Sequence, residues 1–145
     1  MMTLAQVSEE LEIHFKRIDA LLPELKSYMP FKEADFEDIE KIKTIDSFIY
    51  RFTKIQDRMG EKFFPLILGE LYEYKRTMAL IDVLHRLEKL ELLPSSDTWI
   101  EYRKLRNTLT HEYPDNEDEI IEAINLSIEA YIDMKKIYHQ MLERL

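Results

Sequence analysis

Ile42, Ile45, Ile49, Phe52, Ile55 and Met59 recur at alternating steps of three and four residues. That spacing returns side chains to one face of an α-helix and would scatter them over both faces of a strand. The same rhythm sets Leu4, Val7, Leu11, Ile18, Leu22 and Leu25 on an earlier stripe. It returns in Ile121, Ile124, Ile128, Tyr131, Ile132 and Leu142. Few strand signals compete with it, and the only glycines are Gly60 and Gly69. Such a chain must bury its apolar stripes against one another, which predicts a helical bundle.

Breakers divide the pattern into elements. Pro23 predicts a kink in the first helix, and "YMPFKEADF" a connecting turn. Pro65 is expected to kink or interrupt the second helix. A third helix is predicted from Thr77 to about Leu92, stopped by Pro94. Ser95, Ser96 and Asp97 supply N-cap candidates for a fourth. Pro114 disfavours helical geometry at Tyr113, so that helix should end nearby. Asn116, with Glu119 three residues later, resembles a capping box for a long last helix. No linker composition or internal repeat appears. The expectation is one all-α domain over residues 1–145, an antiparallel up-and-down bundle of four to five helices.

Hydrophobic residues at 46% and charged residues at 34% fit a chain with a packed core rather than a disordered one. No apolar run approaches the roughly 20 residues needed to span a bilayer, so no membrane is expected. The start, "MMTLAQVSEELEIHF", lacks the basic-then-apolar order of a signal peptide. Absence of cysteine excludes disulfides, thiol catalysis and thiolate metal sites, and fits a cytoplasmic location. The net charge of −9 disfavours generic nucleic-acid binding, so any RNA contact needs a local basic patch.

One stretch departs from generic helix: "RKLRNTLTHEY", residues 103 to 113. At about 100° per residue, Arg103, Arg106, Asn107 and Thr110 share one side of the fourth helix. Tyr102, Leu105 and Leu109 share another, the predicted core side. On a regular helix Arg106 and His111 would stand roughly 140° apart. They meet only if the helix loosens before Pro114, or if a second copy of the chain completes the site. An arginine fork binds phosphate oxygens and stabilises a phosphorane, while histidine moves protons near neutral pH. With RNA, the ribose 2′-hydroxyl is the internal nucleophile, so this set suits strand cleavage without a metal. Asn107 would orient the phosphate or the imidazole. The competing account is a helix end that attracts cationic side chains for dipole reasons alone.

Arg106-Asn107-x-x-x-His111-x-Tyr113 resembles the R-x4-H-x-Y signature of HEPN-domain proteins, specifically the HepT-like toxins. The stretches "IDSFIYRFTKIQDRMGEKFFP" and "IDVLHRLEKLELLPSSDTWIEYRKLRN" are similar to that family's order of elements. The resemblance implies a homodimeric, metal-independent endoribonuclease toxin with no cofactor, whose antitoxin is a minimal nucleotidyltransferase. It implies catalytic roles for Arg106 and His111, with Asn107 the polar residue after the arginine. Tyr113 matches the tyrosine that such antitoxins modify by AMPylation, which would add bulk and negative charge beside the cleft. The alternatives are a catalytically silent HEPN-like subunit that binds substrate for a nucleotidyltransferase, and a helical adaptor.

Other candidates are weaker. Arg51, Lys54 and Arg58 form a basic stripe on the second helix that, with Arg103 and Lys104, would supply the missing patch. Arg103 and Arg51 are therefore the RNA-binding candidates, against a solvated face paired with Asp57 and Glu61. His14 reads as a packed or edge histidine, and His85 and His139 lack companions at metal-ligand spacing.

Overall fold

The computed structural model describes residues 1–111 and 116–145. Helix α1 (Leu4–Ser27) opens on a capping box. Thr3 Oγ1 accepts from Gln6 N at 3.2 Å, and Gln6 Oε1 accepts from Thr3 N at 2.9 Å. The helix runs on through Pro23. The predicted turn after it holds a short 3₁₀ segment, Glu33–Glu37. Asp38 then caps α2 (Ile39–Arg58), accepting from Glu40 N at 3.1 Å and Lys41 N at 3.3 Å. Further on come α3 (Phe64–Glu70), α4 (Leu80–Lys89), α5 (Ser96–Thr110) and α6 (Glu117–Glu143). No strand occurs among the described residues.

The expected interruption at Pro65 takes a different form. Helix α2 passes into α3 through one wide π-helical turn, Met59–Phe63, where Phe64 N–H bonds Met59 O five residues back. Pro65 then sits in the first turn of α3, where a missing N–H is cheapest. The rod therefore continues. Helix α4 is shorter than predicted: Ala79 N donates to Asp82 Oδ2 at 2.9 Å, so the first turn closes at Leu80 rather than Thr77.

Cross-helix bonds fix the topology. Glu10–Arg58, His14–Arg51 and Glu24–Thr44 run in opposite sequence directions, so α1 and α2 are antiparallel. Ser8–Tyr138 and Phe15–Tyr131 give the same relation for α1 and α6. Gly60 lies beside Trp99 and Asp57 beside Arg106, which makes α5 antiparallel to α2. The chain is thus the all-α bundle that the periodicity predicts.

Its core joins Leu11, Phe15 and Ile18 of α1, Phe48, Phe52 and Ile55 of α2, Phe63 and Phe64 at the wide turn, and Trp99 of α5. Each fully buried large side chain contributes roughly 1.5–3 kcal/mol of transfer free energy. On α6 the buried face is Tyr131, Met134, Tyr138 and Met141, while Ile132, placed on the stripe from sequence, is 44% exposed. One residue past Tyr131, it has turned about 100° off the core. The buried Tyr131 hydroxyl donates to Asp19 at 2.7 Å, and burial with that carboxylate holds its ionisation above the usual phenol range.

Helices α3 and α4 end alike. Glu73 N bonds Leu68 O at 2.8 Å and Leu92 N bonds Leu87 O at 2.9 Å, six-to-one closures of the Schellman type. The left-handed position that usually holds glycine carries Tyr72 (φ 58°) and Glu91 (φ 59°). Arg144, past the end of α6, donates to the carbonyls of Glu91 at 3.0 Å and Leu90 at 3.2 Å. Among the described residues no helix is long and apolar enough to cross a membrane.

Candidate active site at the end of helix α5

Ser95 starts α5 by accepting from Thr98 N at 3.2 Å, as the sequence predicts. Trp99 and Leu109 are buried, and Tyr102 is tied to α6 through its hydroxyl on Asp133. These anchors fix the rotation of α5. Arg103, Asn107 and Thr110 face outward, and Arg106 lies half-buried at the seam with α2.

Asp57 of α2 grips that arginine. Arg106 Nε donates to Asp57 Oδ1 at 3.0 Å and Nη2 to Oδ2 at 2.9 Å, a bidentate fork. The remaining nitrogen, Nη1, points along α5 toward Asn107 Oδ1 at 3.4 Å and Thr110 Oγ1 at 3.5 Å. Thr110 Oγ1 is itself set by the Arg106 and Asn107 carbonyls, each 3.1 Å away. The guanidinium is thus held in one plane, its third nitrogen turned toward the outer face.

Helical geometry ends at His111, whose backbone is extended at φ −104°, ψ 104°. The loosening lets the ring fold back, so that Nδ1 sits 2.5 Å from the Asn107 carbonyl. A carbonyl only accepts, so Nδ1 carries hydrogen, and in the neutral ring the lone pair is on Nε2. Asn107 therefore links both groups, through its side chain to Arg106 and through its backbone to His111. The helix end does loosen, and it carries the His111 ring to the Asn107 carbonyl.

Asn116 occupies the N-cap position of α6 without the predicted capping box. Its side-chain amide donates instead to the His111 carbonyl at 3.2 Å. Tyr113, the modification candidate, and Pro114 lie outside the described residues.

The basic stripe of α2 turns elsewhere. Arg51 Nη1 donates to His14 Nδ1 at 3.1 Å, and Arg58 Nε donates to Glu10 at 2.9 Å, both on α1. Lys54 lies 5.6 Å from the centre of the Tyr50 ring. Among the described residues no contact brings Arg51 to the Arg106 seam. Arg103 is exposed and makes no ion pair among the described residues, whereas Lys104 pairs with Glu101 at 3.2 Å. His14 is packed at the α1–α2 seam, where burial first and Arg51 second lower its proton affinity below the usual histidine range.

Asp57 is the site residue that sequence reasoning missed, having been weighed only as a partner for its own helix's cations. It lies 49 positions from Arg106, and no local spacing joins them. Compared with known proteins, the chain matches no family model, no curated protein and no solved structure.

Proposed function

We propose that this chain is a HEPN-type, metal-independent endoribonuclease, the toxin of a cytoplasmic toxin–antitoxin pair. The observation that carries the reading is the Arg106–Asn107–His111 link at the end of α5, with the guanidinium braced by Asp57. Unbraced, an arginine on an outer helix face would sweep many rotamers; here it is pre-organised.

In the proposed reaction His111 Nε2 takes the proton of a ribose 2′-hydroxyl. The 2′-oxygen bonds to phosphorus, and Arg106 stabilises the charge on the phosphorane oxygens. The bond to the 5′-oxygen breaks, and that oxygen is protonated by an imidazolium from a second copy of the chain. Products are a 2′,3′-cyclic phosphate and a 5′-hydroxyl. A homodimer would bring both motifs to one groove, with Arg103 on the RNA path. A minimal nucleotidyltransferase would act as antitoxin by AMPylation at Tyr113.

One observation favours the silent-subunit reading. Asp57 already neutralises Arg106, and the chain carries a net charge of −9. On that reading the protein binds a nucleotidyltransferase and presents substrate to it.

Purified protein in chelator should cleave RNA and leave cyclic phosphate ends, and Arg106→Ala and His111→Ala should each abolish this. Expression in a bacterial host should arrest growth, and both variants should relieve the arrest. Equal growth with all three proteins, and intact RNA, would leave the silent reading.

A further inference from the structure

We infer that the hollow between the end of α3 and the outer face of α4 binds a nucleotide, its base stacked on Tyr72 and its phosphate held by Lys75, His85 and Lys89. This inference uses neither Arg106 nor His111. It stands on a different region of the chain.

Helix α4 buries Val83, Leu84 and Leu87. Asp82, His85, Arg86 and Lys89 follow steps of three, one and three, so they lie along the opposite face. Tyr72 and Lys75, from the connection before α4, close the hollow, whose volume is about 560 Å³. That is within the range of small-ligand sites. Of its two acids, Glu73 pairs with Arg86 at 3.4 Å, while Asp82 stays charged and accepts from Ala79 N at 2.9 Å, so Lys75, Arg86 and Lys89 against Glu73 and Asp82 leave the hollow one positive charge in excess. Lys75, His85 and Lys89 have no ion-pair partner among the described residues. In a chain with net charge −9, a local excess of lysine beside an imidazole favours an anion.

Tyr72 supplies the second observation. It is 97% exposed and stands at φ 58°, where a bulky side chain is disfavoured and glycine is usual. Packing gives no reason for the ring, since it covers no core. An exposed aromatic face beside cations is the arrangement that holds a base and its phosphate. Among the described residues, none of α5 lines the hollow.

The test uses the full chain carrying Arg106→Ala and His111→Ala, so that no cleavage consumes the probe. A fluorescein-labelled adenylate decamer is followed by anisotropy, and AMP by calorimetry. Tyr72→Gly in this background should fold at least as stably, because glycine suits the left-handed position, yet bind the decamer about tenfold more weakly. Lys75→Gln with Lys89→Gln should weaken binding and reduce the salt slope by roughly 0.7 per lysine removed. AMP binding that depends on Tyr72 shows that free nucleotides enter; Tyr72-dependent binding of the decamer alone shows that the nucleotide is read within a strand. Binding of neither probe, or decamer affinity unchanged in Tyr72→Gly, overturns the inference.

Discussion

Removing Asp57 should expose how much the brace on Arg106 is worth. The pair makes two charge-assisted bonds, at 2.9 Å and 3.0 Å, but its side chains are 29% and 31% exposed. Solvent screening at that exposure brings a bidentate pair down to about 1 kcal/mol. Asp57→Ala and Arg106→Ala should each lower stability by about that amount, or roughly 2–4 °C in Tm for a chain of this size. Urea melts of both single variants and the double variant would close a mutant cycle, with an expected coupling of about 0.5–1 kcal/mol. Strict additivity would mean that Asp57 does not hold Arg106, and the pre-organisation behind the proposed chemistry would fall with it. The cycle has a second use. If the chain is a ribonuclease, Asp57→Asn lowers kcat because the guanidinium loses its plane; if it is a silent subunit, Asp57→Asn releases positive charge and tightens RNA binding.

Two further outcomes are expected. Glu91→Gly should raise stability by about 0.5–1 kcal/mol, because glycine relieves the left-handed strain while costing some unfolded-state entropy; Glu91→Ala, strained alike, should show no gain in the same urea melts. His14 has a lowered pKa in the folded state, chiefly from burial, so the unfolded chain takes up the proton first as pH falls below about 6.5. Stability from the neutral ring is therefore complete above that pH and is lost as acid passes through the folded value. His14→Gln should flatten the fall in urea midpoint between about pH 7 and pH 5, and an unchanged fall would remove His14 as its source.

The bundle was legible because each buried face repeats at helical spacing, as in Ile45, Phe52, Ile55 and Met59. Pro65 misled because a proline forbids one N–H bond but does not say how the preceding turn will adjust. Ile132 misled because the α6 face drifts with each turn, and a residue one step past Tyr131 looks eligible from hydropathy alone. The left-handed ends at Tyr72 and Glu91 gave no signal, since the glycine that normally marks such a position is absent. At the site, the end of α5 could be read from Pro114 and the outward side chains from helical phase. Asp57 could not, because the two helices that bring it to Arg106 are joined only by tertiary packing.

The wide turn at Met59–Phe63 works as a phase shifter. It holds one residue more than a regular turn, so the rod before it keeps Asp57 aimed at α5 while the rod after it aims Phe64, Ile67 and Leu68 inward. Deleting a single position there would restore an ordinary helix and leave the downstream rod in phase, whereas a single deletion in the regular part of α2 would rotate it by about 100°. A one-residue change in the regular helix would swing Phe64, Ile67 and Leu68 toward water, so the wide turn is the place along this rod with a residue to spare.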